Sequence, residues 1–427
     1  MIWPDGIREA HAHLDQIGRA KAMLALDECV DLDDCLDRVV QWAARAGPGD
    51  WILGAGLRVQ SWPDPIWPDR DRLDAVTGQR PCCLWSFDHH ALVGNSAALS
   101  AARISQATPD PPSGHIQRDG QGRPTGVLLE SAASMLWKAV PAPSADERRG
   151  HLVAALEYLA GLGYVEVHDL KSPACLGPEL ARLDDAGELP LSVRLYPPIE
   201  RIEREFESAT GGDGAWQRDR VVLGGAKLFT DGTLNSRTAW MLEAYADPLP
   251  GLDHGQAMCS PGQIEEAIRR VDRLGLHLAC HAIGDAAVRA VLDAIESVRP
   301  RTPGFRIEHA ELIDADDVPR FADLGVVCSV QACHLLPDID VLRRSLGHRL
   351  DRVLPLRDLI DAGCGPGQLL WFGSDAPIVR ADPGDSIQAA VHRCRPGDGP
   401  DGVIAPEQAI TIAEAGSAFA IGTEPGD

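Results

Sequence analysis

Lysine is almost missing from this chain. Its 40 basic residues include only Lys21, Lys138, Lys171 and Lys227 as lysines, and all the others are arginines. Positive charge is short overall, because 63 acidic residues leave 427 residues with a net charge of −23. That balance argues against nucleic acid or an anionic membrane as a partner, and for a soluble, self-repelling surface that meets small molecules. No apolar run reaches the length of about 18 residues needed to span a bilayer. The N-terminus MIWPDGIREA lacks the basic-then-apolar pattern of a signal peptide, so a cytoplasmic protein is expected. A C-x-x-C pair is also lacking. The eleven cysteines are scattered, which reads as reduced core thiols rather than a disulfide framework or a zinc ribbon.

What is present begins with IREAHAHLDQIG, residues 7–18. His11 and His13 are two apart, and in a strand positions i and i+2 share a face. Two imidazoles side by side suit a metal ion; an exposed edge strand with incidental histidines is the other reading.

From residue 150 onward, short apolar runs alternate with amphipathic helices, the pattern of parallel strands buried on both faces. The expected strands are 7–13, 164–169, 192–197, 221–229, 277–283, 306–310, 326–331 and 369–374. Eight such units indicate an α/β chain folded as a (β/α)8 TIM barrel, although an open doubly wound sheet carries the same local pattern. A segment rich in tryptophan, proline and glycine interrupts the alternation. The expected division is residues 1–48 for the first barrel strand and helix, 49–145 for an inserted α/β lid subdomain, and 146–427 for the rest of the barrel. Trp51, Trp62, Trp67 and Trp85 in the insertion suggest an uncharged or aromatic substrate substituent, against their commoner use as core packing.

Ionisable residues mark the strand ends: His11 and His13 on the first strand, Lys227 on the fourth, His281 on the fifth, His309 on the sixth and Asp375 on the eighth. The C-terminal rim of a barrel is where its active sites lie, and buried charges need partners or a metal. Taken singly, His281 or His309 could be a hydrogen-bonded core histidine and Asp375 a helix cap. Lys227, inside the apolar strand of GGAKLFTDG, has its charged form disfavoured. A neutral lysine can add CO2 to become a carbamate, an anionic ligand able to bridge two divalent ions. Imidazole, carbamate and carboxylate donors suit zinc or a similar ion. Left as an amine, Lys227 would be a salt-bridge partner of Asp231 or Asp375, and catalysis would rest on one metal.

Seven stretches, DHHALVGNSAAL, GRPTGVLLESA, AKLFTDGTLNSRTA, HAIGDAAVRAVLDAIE, RIEHAEL, VQACH and FGSDAPI, resemble the amidohydrolase superfamily. Within it they resemble the amidohydrolase 3 or YtcJ-like branch, similar to N-substituted formamide deformylase. The resemblance runs from residue 7 to about 395. It implies His11, His13, Lys227, His281, His309 and Asp375 as the shell of a binuclear centre, and His90, Glu130, Arg237 and His334 as substrate-binding residues. It implies hydrolysis of an amide or formamide C–N bond by a metal-bound hydroxide, with Asp375 as general acid and base. Esters, lactones or phosphotriesters are the alternative substrates, and a metal-binding regulatory barrel without turnover is the alternative outside enzymes. Relatives usually carry a small β-sandwich built from segments flanking the barrel. Here it is expected to be missing or much reduced, leaving apolar surface for a homodimer partner.

Overall fold

A computed structural model describes residues 6–421 apart from 48, 60, 61, 88–90, 112, 113 and 250. The chain is α/β and divides into two compact units, Met1–Leu14 with Leu156–Asp427, and Asp15–Ala155.

The larger unit holds two all-parallel sheets. One runs in the order Ile7–Ala12, Tyr164–Leu170, Ser192–Tyr196, Val221–Leu223. The other runs Gly225–Phe229, His277–Ala282, Arg306–His309, Val327–Val330, Leu370–Phe372. Parallel bridges join their edges, Pro198 to Lys227 at one side and Ala12 to Ala376 at the other. The strands expected from the sequence recur within a residue or two, with one change. The 221–229 run breaks at Gly224, its first part pairing back to Ser192–Tyr196 and its second part forward to His277–Ala282. The reason is space, since a Cβ at Gly224 would lie 2.8 Å from the Tyr196 ring.

Most strand residues are buried, as double-sided covering requires. The helix Pro261–Arg273 of this unit is amphipathic and capped. Ser260 and Gln263 form a capping box at the start of Pro261–Arg273, whose Ile264, Ala267, Ile268 and Val271 are buried. No helix among the described residues is long and apolar enough to cross a membrane.

At the strand ends the backbone leaves its regular geometry. His309, Ala310 and Asp375 have φ of 72°, 44° and 62°. This is the left-handed region, which non-glycine residues occupy at a cost and which clusters at functional sites. Gly373 permits the last strand to approach the first: a Cβ there would meet the His11 backbone nitrogen at 2.5 Å and Glu9 Oε1 at 2.8 Å. Gly373→Ala is therefore expected to destabilise by about 1–3 kcal/mol. Gly399→Ala, where a Cβ meets nothing within 4 Å, should leave the thermal midpoint unchanged; equal midpoints for both variants would contradict the close approach.

The smaller unit is built on a six-stranded mixed sheet, in the order Leu24–Ala25, Ile52–Leu57, Cys82–Ser86, Ala91–Gly94, Pro124–Glu130, Gly114–Arg118. Alternation along Cys82–Ser86 sends Cys82 and Leu84 to one apolar cluster and Cys83 and Trp85 to another. Of the tryptophans singled out in the sequence, Trp62 and Trp85 are buried in the core of this unit, and Trp51 and Trp67 are half-buried and pack against it. Trp62 belongs to the first cluster, with Trp67 packed against it, and Trp62 Nε1 donates to the Cys29 carbonyl at 2.8 Å; Trp85 belongs to the second, with Trp51 packed against it.

Candidate metal centre

Strand Ile7–Ala12 buries His11 (1% exposed) and delivers His13 just beyond its end. Each ring is oriented by an acceptor on its Nδ1. His11 Nδ1 donates to Glu308 Oε2 at 2.6 Å, and His13 Nδ1 to the Leu170 carbonyl at 2.6 Å. Both Nε2 atoms then face Asp375 Oδ1, at 3.4 Å from His11 and 2.8 Å from His13. A carboxylate or carbonyl behind a histidine that fixes its tautomer is the usual arrangement around metal-ligating imidazoles.

The His309 ring lies 4.9 Å from that of His11 and 4.5 Å from that of His281. One ligand atom each from His11, His309 and Asp375 falls within 4.8 Å of the other two. His281 Nε2 donates to the Gly232 carbonyl at 3.0 Å, which leaves Nδ1 as its lone-pair nitrogen. Lys227, 2% exposed, makes no hydrogen bond through Nζ among the described residues, so neither Asp231 nor Asp375 bonds to it. Asp231 instead accepts backbone N–H groups from Trp240, Ile283 and Gly284.

Protonation states follow from this burial. Desolvation lowers His11 to about 4 and His281 to about 3, and takes His309 well below its ordinary value. These three imidazoles are neutral at pH 7, with a lone pair to offer. Burial also lowers Lys227 to about 8, against the opposing pull of Glu308 and Asp375. For Asp375 burial acts to raise the pKa, but His11 and His13 outweigh it and hold the carboxylate well below its usual range. His13 shifts upward, because burial is overcome by its bond to Asp375. Neutral nitrogen donors converging on a carboxylate, with Lys227 Nζ and His309 Nδ1 buried and unpaired, fit a divalent cation.

The four expected substrate-binding residues are placed differently from one another. His90 lies outside the described residues. Glu130 ends strand Pro124–Glu130 of the smaller unit, exposed and at φ 54°. Arg237 is 7% exposed and its guanidinium is engaged by both Asp247 oxygens, at 3.0 and 2.8 Å, and by the carbonyls of Leu234 and Asn235. His334 sits beside the centre, its Nε2 4.0 Å from Asp375 Oδ2 and its Nδ1 3.6 Å from Glu311 Oε1. Burial lowers His334, but Glu311 and Asp375 more than compensate and raise it to about 9.

Sequence reasoning missed the supporting carboxylates. Glu308 accepts from His11 and pairs with Arg306, both fully buried, and Arg306 also reaches the Ala10 carbonyl at 2.5 Å, Ser329 Oγ at 3.0 Å and His168 Nδ1 at 2.6 Å. Burial acts to raise the Glu308 pKa, but Arg306, His11 and Lys227 prevail and keep it ionised. Glu9 accepts the backbone N–H groups of His11 and Ser374, and burial pushes it up to about 7. The signal for Arg306 and Glu308 was available: an arginine and a glutamate two apart in the strand of FRIEH share one face.

Residues 4–425 match a family model described as "Amidohydrolase family", of the amidohydrolase 3 type. Three curated relatives align over most of the chain. Protein LONG AFTER FAR-RED 3 of Arabidopsis thaliana is 32% identical over 92% of this chain and 68% of its own length. Putative amidohydrolase YtcJ of Bacillus subtilis is 31% identical over 91% of this chain and 73% of its own. N-substituted formamide deformylase of Arthrobacter pascens is 28% identical over 96% of this chain and 76% of its own. A crystal structure of an uncharacterized metal-dependent hydrolase from Pyrococcus horikoshii superposes with a TM-score of 0.77 at 27% identity, over 99% of this chain and 83% of that one.

Proposed function

Because the chain belongs to the amidohydrolase family, in its YtcJ-like branch, and is thereby a hydrolase, we propose that it cleaves an amide or formamide C–N bond at a binuclear centre. The convergence of His13 and the neutral imidazoles of His11 and His309 on Asp375 carries this reading. The formamide deformylase relative supports the choice of bond. We read the two parallel sheets as one closed (β/α)8 barrel, which the bridges Pro198–Lys227 and Ala12–Ala376 support. The smaller unit enters the chain after the first strand.

His11 and His13 with Asp375 would hold one ion and His281 with His309 the other, with Lys227, carboxylated by CO2, spanning the two. Zinc fits these nitrogen and oxygen donors. Such ions supply a water acidified into the neutral range and polarisation of a carbonyl. Glu308 and the Leu170 carbonyl keep the two Nε2 lone pairs aimed at the centre. Asp375 faces both imidazoles through Oδ1, so it can accept a proton from the attacking water and return it to the departing nitrogen. The bookkeeping is that of hydrolysis: water oxygen bonds to the carbonyl carbon, the C–N bond breaks, and one water proton ends on the amine.

The test is a screen of N-substituted formamides and amides against matched esters and phosphotriesters, with and without prior chelation. Turnover of the amide series, abolished by chelation and restored by a divalent ion, is the expected result. Turnover confined to esters or phosphotriesters would overturn the choice of bond.

A further inference from the structure

We propose that His309, Glu311 and His334 form a divalent-cation position separate from the one built on His11, His13 and Asp375. One ligand atom of each lies within 4.8 Å of the other two. The three residues are 4%, 6% and 9% exposed, so their donors are withdrawn from water. Two consecutive strand ends deliver them. Glu311 lies two residues past Arg306–His309, and His334 closes the turn Ala332–His334 after Val327–Val330.

The geometry suits an ion better than a hydrogen bond. His334 Nε2 donates to the Ser374 carbonyl at 3.3 Å, so Nδ1 is the nitrogen turned towards Glu311, and it becomes a metal donor when a cation displaces its proton. That Nδ1 stands 3.6 Å from Glu311 Oε1, beyond ordinary hydrogen-bonding range. Metal bonds of about 2.0–2.1 Å at a tetrahedral angle put two donor atoms roughly 3.3–3.5 Å apart. His309 supplies the third donor. Its ring is 6.0 Å from that of His334, and its Nδ1 is buried without a hydrogen-bond partner among the described residues. An unpaired buried imidazole nitrogen is costly unless something binds it. Two imidazoles and one carboxylate, with a fourth place for water, are the donor set of an open zinc-type site.

His309 also belongs to the triad with His11 and Asp375 and is given above, with His281, to the second ion of the binuclear centre, so this position competes with that ion for it and fills second. The proposal goes beyond the hydrolytic reading and rests on metal binding alone.

The experiment is Co2+ uptake by the full chain, first stripped of loosely held ions by dialysis, then followed by equilibrium dialysis and visible absorption. Wild type is expected to take up Co2+ in a weaker phase beyond the ions it retains. Glu311→Gln and His334→Gln should each weaken that phase at least tenfold while keeping the retained ions. The two variants alter different elements, so either one that melts like wild type decides the matter. An unchanged uptake curve in such a variant would overturn the proposal, and so would loss of the retained ions in Glu311→Gln. Failure of the hydrolytic reading would appear separately, as absent amide turnover with the Glu311-dependent phase intact.

Discussion

Asp375→Asn should lower kcat by about 10³-fold, within the range that positioned acid–base groups contribute, while the protein keeps its bound metal. The asparagine amide preserves one oxygen and the volume of the side chain but cannot accept a proton. Asp375 Oδ1 lies between two imidazoles, at 3.4 and 2.8 Å, and its left-handed backbone is secured by its own N–H donating to the His11 carbonyl at 2.7 Å. Parallel measurement of kcat and metal content separates the proton role from the ligand role. Near-normal kcat with metal retained would remove Asp375 from proton transfer, and loss of metal together with activity would make it chiefly a ligand.

Glu308→Ala should be the most destabilising single change near the centre. The side chain is fully buried between His11 and Arg306. Its removal strands a guanidinium that is itself fully buried, a situation worth about 3–5 kcal/mol. It also frees the His11 ring to rotate, and loss of such a partner typically costs 10–100-fold in metal affinity. Urea unfolding and a Co2+ titration read the two effects independently. A variant less than 1 kcal/mol below wild type, with unchanged Co2+ affinity, would contradict the role assigned to the pair.

The parts of this arrangement legible in the sequence are those that depend on short range. His11 and His13 share a face because strand periodicity is two. Lys227 stood out because lysine is rare here and an apolar strand is a poor place for an ammonium. The run of buried strands could be read because parallel strands covered on both faces are continuously apolar. What could not be read depends on long-range pairing. Glu311 and His334 meet across 23 positions, and His11 and Glu308 across 297. Arg306 and Glu308 were overlooked because neutralised charges look like surface residues when their partners are unknown. The break at Gly224 and the close approach at Gly373 follow from neighbours, Tyr196 and His11, that only the fold brings near. Arg237 shows the limit of a motif match from another side. The motif around it marks a loop beside the centre, yet its guanidinium is taken up by Asp247 and two carbonyls, which a motif match cannot reveal.

The most direct measurement is the divalent metal content per chain of protein purified without chelator and with bicarbonate present, for wild type beside Lys227→Ala. About two ions in wild type, falling to one or fewer in the variant, is the result that a lysine-bridged pair of ions requires. Absence of metal from wild type, or equal content in both proteins, would contradict it.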